Sequence, residues 1–267
     1  MKTTIASALA FIMAIGFYAY GSAFSSEAIT TRTDTPAATN AADCNDIFLR
    51  SAPPTVPQAQ SDGAIAICRM AYSSFNSPKT KTPIWSAEEL TPLSMRQASK
   101  IERASTFEEE LEIPASYRSR LEDYRGSGWD RGHLAPSANM PSAEAQQESF
   151  SLANIIPQAP ALNRGDWADL ESDVRSLARR RDAVYVVTGI LISDPKASTL
   201  PGSRVIIPDH VWKAIISPGE GSVVYLASNG ENSTIHALSL NSFRQSTGID
   251  PFPGATPQEA SSMLHLR

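Results

Sequence analysis

Between residues 166 and 180, apolar side chains return every three or four positions, at Trp167, Leu170, Val174 and Leu177, with polar residues between them. That spacing is one stripe of a 3.6-residue helix and predicts an amphipathic helix entered near Asn163. On such a helix Asn163 and Glu171 would stand about two turns apart, on related faces. The runs at 183–192, 205–216 and 222–227 are instead rich in Val and Ile, which predicts strands. Upstream, residues 64–72 read as a first core strand. The Gly-rich segment before Trp129 suits a hairpin turn that delivers His133 on a strand opposite the helix. Beyond Pro251, turn-forming prolines surround a short segment, 259–264, with helical character. Several strands with a few helices between them define an α+β class with a central, mostly antiparallel sheet and flanking helices.

The first residues change the picture of the whole chain. Lys2 precedes an uncharged stretch from Thr3 to Ser26 that ends in Gly21, Ser22 and Ala23, a secretory pattern that predicts cleavage after Ala23. The alternative is an uncleaved anchor, since about 20 apolar residues can span a bilayer. Residues 24–62 are rich in Thr, Ala, Pro, Ser and Asn and read as a flexible arm, which leaves 63–267 as the folded domain. The resulting expectation is a secreted or periplasmic chain with no stable membrane association after cleavage. Cys44 and Cys68 are the only cysteines, and in an exported chain they are expected to pair. No CxxC or Cys/His spacing supports a zinc site.

With 267 residues, 42% of them hydrophobic, the chain can bury one large core. Its formal net charge of −5 argues against a protein that coats nucleic acid, because that binding draws on broad phosphate neutralisation. An enzyme needs positive charge only in its cleft.

The chemistry concentrates in Trp129, Asp130, Arg131, Gly132 and His133, with Asn154, Asn163 and Glu171 at offsets of 21, 30 and 38 from the histidine. A histidine near neutrality can take a proton from water, and an arginine fork matches phosphate oxygens. Asn163 offers one neutral carbonyl oxygen, enough for Mg²⁺ only together with waters and substrate oxygens. Taken singly, each residue has a plainer role as hydrogen-bonded histidine, ion pair or helix cap.

Two long blocks carry more weight than the single residues. The run from Tyr124 through Trp129-Asp130-Arg131-Gly132-His133 to Pro136 resembles the DNA/RNA non-specific endonuclease family, the DRGH-motif ββα-metal nucleases. A second block follows at Leu152-Ala153-Asn154-Ile155-Ile156-Pro157-Gln158, Leu162-Asn163, Trp167, Leu170 and Glu171. Thr82-Pro83-Ile84-Trp85, with Glu88 to Thr91, looks like the family's upstream strand and turn. The resemblance spans roughly residues 65–250 and implies the ββα-metal nuclease fold. It also implies Mg²⁺-dependent hydrolysis of DNA and RNA, with Mn²⁺ as a substitute and 5′-phosphate products.

Carried over by position, His133 looks like the general base and Asn163 like the direct metal ligand. Glu171 resembles the carboxylate that orients metal-bound water, and Arg131 and Asn154 resemble residues that shape the phosphate and metal surroundings. Arg103 resembles an upstream arginine that steadies the transition state. DNA and RNA are the expected partners, with a homodimer and an inhibitor protein left open. The competing class is a nucleic-acid-binding or adhesion protein that keeps the fold without turnover.

Other conspicuous residues have structural readings. His210, His236 and His265 lie outside both blocks. Arg179, Arg180 and Arg181 read as a solvated helix end favoured by the dipole, and Trp212 and Lys213 as core and edge residues of a strand.

Overall fold

The computed structural model describes residues 41–104, 106–193 and 197–266. The leader expected at 1–23 lies outside them. Among the described residues no helix is long and apolar enough to cross a membrane.

Among the described residues the strands are β1 (Ile65–Cys68), β2 (Ser73–Ser77), β3 (Thr82–Leu90), β4 (Asp130–His133), β5 (Ile155–Gln158), β6 (Val184–Leu191), β7 (His210–Ser217), β8 (Gly221–Ser228) and β9 (Ile235–Leu238). The helices are α1 (Gln58–Ser61), α2 (Pro92–Ala98), α3 (Leu121–Tyr124), α4 (Ala143–Ser149), α5 (Pro160–Arg164), α6 (Asp166–Ala178), α7 (Leu240–Thr247) and α8 (Pro257–Ser261). Seven strands form one sheet in the order β1-β2-β3-β6-β7-β8-β9, and β4 and β5 form a separate pair. Every strand pairing is antiparallel, so this is the expected α+β class with a central antiparallel sheet and flanking helices. Residues 91–183, which hold the motif blocks, form one long excursion between β3 and β6, and those two strands close it by pairing Leu90 with Val184.

Strand periodicity sorts the sheet into two faces. One face, with Val184, Val186, Ile190, Val211 and Ile215, packs under Trp167, Leu170, Val174 and Leu177 of α6. Burying each of those helix side chains contributes about 1.5–3 kcal/mol. The other face, with Trp85, Val187, Trp212, Ala214 and Ile216, packs under Leu240 and Phe243 of α7. Cys44, Phe48 and Leu49 belong to that second core, and the Cys44–Cys68 disulfide fastens them to the end of β1. Cys44 to Leu49 are therefore packed, whereas their composition predicts an arm, and Gln58–Ser61 contributes no buried residue. The first strand is shorter than 64–72, and β1 ends at Cys68.

Three predicted boundaries shift for identifiable reasons. The strand predicted over 205–216 is His210–Ser217, since Pro208 has no N–H to donate and residues 199–206 close their own bridge. The C-terminal helix lies at Pro257–Ser261, where Thr256 and Glu259 form a capping box, and Met263 bridges to Ser222. Asn163 is not on the same helix as Glu171. It sits on α5, and Gly165, at φ −108° and ψ −125°, breaks the chain before α6 begins. A β-carbon at Gly165 would lie 2.7 Å from the Ala161 carbonyl oxygen, so the sharp joint requires glycine. The single-helix relation between Asn163 and Glu171 does not hold.

Lys213 is not an edge residue. β7 lies inside the sheet, and Lys213 points to the α6 face in a polar row with Ser86 and Thr188 that crosses three neighbouring strands. Its Nζ donates to Thr188 Oγ1 at 2.5 Å and lies 5.4 Å from the Trp167 ring.

Candidate active site

His133 ends β4, opposite Ile155 of β5. Its ring contacts Phe107, at 5.5 Å, and Phe150, at 4.8 Å, and those two rings also meet each other edge to face at 4.9 Å, so the three form one cluster. Its Nε2 is buried with no hydrogen-bond partner. Burial first, then the positive charge of Arg103, push the imidazole down to about 3, so it is neutral at physiological pH.

The two arginines stand on the outer sides of the same aromatic pair. Arg131 lies 4.2 Å over the Phe107 ring, and Arg103 lies 5.4 Å from the Phe150 ring while donating to Ser137 Oγ at 2.8 Å. Stacking costs a guanidinium none of its charge and leaves its N–H edges free for an anion. Phe107 and Phe150 thus join two cations to the histidine, a role that no spacing in the sequence signals.

Gly132, between Arg131 and His133, is a close approach. A β-carbon there would run into the side chain of Gln158 on the paired strand, so the hairpin closes only with glycine. Gln158 is fully buried, and both its amide atoms lack partners.

Asn163 donates from Nδ2 to Asp130 Oδ2 at 2.9 Å. Arg164 grips the same carboxylate with Nε, at 2.7 Å, and Nη2, at 2.5 Å. Burial pushes the Asp130 carboxyl up, but these hydrogen bonds outweigh it and hold the group below its usual range. Arg164 is consequently an ion-pair partner rather than a free phosphate contact. Fixing Nδ2 on Asp130 turns Oδ1, the only oxygen of the side chain, the other way.

Asn154 is used differently from Asn163. Its Oδ1 accepts from Ser86 Oγ and the Ala135 N–H, both at 2.9 Å, and its Nδ2 donates to the carbonyls of Ala135, at 2.8 Å, and Ser149, at 3.0 Å. That fills the capacity of the amide. Its backbone carbonyl also accepts from the Leu134 N–H at 3.0 Å, so Asn154 clamps the two residues that follow His133. It holds the strand end rather than presenting an atom to substrate.

Glu171 stands on α6, where burial raises its carboxyl against the opposing pull of Lys213, Arg175 and Arg103. Arg103 therefore acts electrostatically on both His133 and Glu171, which brings the two helical and strand candidates into one field. Beneath Glu171, burial drives Glu88 up to about 7 although Lys213 and Asn139 oppose it, and lowers Lys213 although both glutamates oppose that. Both Glu88 oxygens accept from Asn139 Nδ2 at 3.0 Å. This buried polar layer is another part that the sequence reading missed; charged residues inside otherwise apolar strands were its only signal.

Of the remaining histidines, His210 has a buried, unpartnered Nδ1, His236 is bonded to Thr234 at 3.0 Å, and His265 is exposed.

Among the described residues no group of three or more His, Cys, Asp or Glu could hold a metal. A site built on the single free oxygen of Asn163, with Glu171 able to act through water, fits only a hard ion that keeps most of its waters, which is the habit of Mg²⁺.

The antiparallel β4–β5 pair, with His133 at the end of β4, followed by α5 carrying Asn163 and α6 carrying Glu171, is the arrangement of the ββα-metal nuclease class. The chain belongs to the DNA/RNA non-specific endonuclease family, whose profile matches residues 54–257. It is 35% identical over 185 residues to mitochondrial endonuclease G of Bos taurus, covering 66% of this chain and 59% of that protein. It is 35% identical to nuclease C1 of Cunninghamella echinulata var. echinulata, covering 59% and 67%. It is 28% identical to a mitochondrial nuclease of Saccharomyces cerevisiae, covering 73% and 68%. The chain thus spans about six-tenths of the length of curated relatives that it matches. A solved EndoG structure, in complex with EndoGI, superposes with a TM-score of 0.65 and 26% identity over 74% of this chain and 89% of that one.

These relatives overturn the expectation of a secreted or periplasmic chain. The relatives from Bos taurus, Homo sapiens, Saccharomyces cerevisiae and Schizosaccharomyces pombe are mitochondrial nucleases. An apolar, small-residue leader does not by itself specify which compartment receives the chain.

Proposed function

We propose that this protein is a Mg²⁺-dependent endonuclease that hydrolyses internal phosphodiester bonds of DNA and RNA, in a mitochondrial rather than an exported setting. The observation that carries the reading is the His133 ring at the end of β4, in contact with Phe107 and Phe150, with Arg131 and Arg103 over the same two rings. A neutral imidazole can accept the proton of an attacking water. Two arginines on either side can receive the anionic phosphate and offset the charge that grows on it.

An imidazole near 3 is a weak base, and the substrate itself corrects this. An anionic phosphate beside Arg103 would offset the smaller of the two causes, the cation's field, and so favour the imidazolium and raise the basicity of His133 once substrate is bound. Asn163 would hold the metal through Oδ1, kept in orientation by Asp130, and Glu171 would orient water on it. Bound Mg²⁺ would supply Lewis-acid charge to the phosphate being cut. Phosphate contacts position a strand without reading its bases, so weak sequence preference follows from this set of residues.

The test is cleavage of circular duplex DNA and of single-stranded RNA by the purified protein, with Mg²⁺ and with EDTA. Internal cuts in both polymers that EDTA abolishes support the reading. Tight binding without cleavage would move the protein to the binder class.

A further inference from the structure

Glu171, Arg175 and Arg179 are spaced i, i+4 and i+8, so they form one row along α6 and its C-cap, and Arg179 keeps helical backbone at φ −72° and ψ −16°. Arg175 and Arg179 of this row line a cleft of about 250 Å³ together with Arg103, Ser137 and Gln146. None of the residues lining the cleft is acidic. Three arginines therefore face one space in a chain whose formal charge is −5.

The helix dipole explains why cations gather at residues 179–181, but not how they are oriented. Arg180 donates to the Leu266 carbonyl at 2.9 Å, and Arg181 pairs with Glu220 at 2.6 Å. Among the described residues, Arg179 alone of the three has no side-chain hydrogen bond or ion pair and lines the cleft. Arg175 makes only a long 3.4 Å bond to Asn139. Arg175 and Arg103 act on the Glu171 carboxyl, so Arg179 is the cation of this cleft left for an anion that enters it. Arg175 and Arg179 are offset by about 6 Å along the helix axis, at 1.5 Å per residue.

We propose that this cleft receives the phosphate of a nucleotide adjacent to the scissile bond on the same strand, with Arg179 as its outermost cation. The inference rests on the endonuclease reading above, and deepens it by placing a second phosphate contact at the C-terminal end of α6. The adjoining phosphate would anchor the strand so that the bond to be cut is presented to His133.

The experiment uses an oligonucleotide in which single linkages next to a mapped cut are replaced by neutral methylphosphonates, with cleavage at that bond measured for wild type and for Arg179→Ala. In wild type, one neutral linkage on one side lowers the rate about five- to tenfold. Arg179→Ala shows a loss of that size on the unmodified strand, and the neutral linkage then adds nothing. Arg179→Lys recovers part of the loss, and Arg180→Ala and Arg181→Ala respond to the neutral linkage as wild type does. If the effects of Arg179→Ala and of the neutral linkage multiply, or if Arg179→Ala cuts the unmodified strand at the wild-type rate, the subsite does not exist. If wild type with Mg²⁺ cuts the unmodified strand nowhere, the endonuclease reading fails instead.

Discussion

Asn163 and Asp130 are joined by a 2.9 Å hydrogen bond from Nδ2 to Oδ2, which ties the helix bearing the metal-ligand candidate to the first residue of the strand that ends in His133. Three residues of strand span about 10 Å, so this one bond fixes how far the ligand oxygen stands from the base. Asn163→Ala removes that oxygen, and activity should then demand at least tenfold more Mg²⁺. Asp130→Ala keeps the oxygen but frees the amide to rotate, and should shift the requirement less. Rate measured against Mg²⁺ concentration decides the matter; an Asn163→Ala curve that superimposes on wild type would remove the metal from this residue.

His133→Ala should lower kcat by two to four orders of magnitude, the range of a positioned proton transfer, with the fold intact by circular dichroism. The pH profile adds a sharper check. A bound phosphate raises the imidazole's affinity for protons, so the acid limb of kcat should lie at higher pH than that of kcat/KM. Arg103→Met removes the cation that helps depress the group, so the acid limb of kcat/KM should rise while the rate falls. Limbs that coincide in wild type, and do not move in Arg103→Met, would mean that His133 is not the titrating base.

Glu88 supplies a stability test of opposite sign. Its folded pKa of about 7 lies above the unfolded value near 4.3, so the folded state binds the proton more tightly. The stability that this contributes is fully present below about 4.3 and is lost as pH rises through 7. Glu88→Gln does not titrate, so its Tm relative to wild type should climb between pH 5 and pH 8. A Tm difference that is flat over this range would show that Glu88 is ionised throughout.

The Cys44–Cys68 disulfide links residues 24 apart in sequence and pins Phe48 and Leu49 against the face of the sheet opposite α6. Its reduction should cost about 3 kcal/mol of folding free energy in the chain-entropy account. Cleavage at 20 °C should be nearly unchanged, because the site lies in the excursion between β3 and β6. Denaturant melts with and without reductant measure the first quantity, and a parallel rate measurement the second. A large loss of rate at full folding would connect the N-terminal segment to the site.

Local sequence fixed those parts of the protein whose determinants are local. The apolar stripe of Trp167, Leu170, Val174 and Leu177 specifies α6 because helical periodicity is a property of neighbours. The Val- and Ile-rich runs at β6 and β8 were legible for the same reason, as was the family itself from two long motif blocks, whereas the hairpin turn expected in the Gly-rich segment before Trp129 is not formed: α3 precedes that segment, and β4 pairs forward with β5. Where a single residue overruled the pattern, the sequence was ambiguous: Gly165 ends α5 two residues after Asn163, and Pro208 delays β7. Only the tertiary structure decided which side chains share a space. Phe107 and Phe150 meet His133 from 26 residues before it and 17 after it. Lys213 lies under α6 because β7 pairs with β6 inside the sheet. Three consecutive arginines, alike in sequence, part company because Arg180 finds a carbonyl and Arg181 a carboxylate, while Arg179 turns to the cleft. Such partners are set by the packing of distant segments, and neither spacing nor composition along the chain encodes where a side chain's neighbours will be.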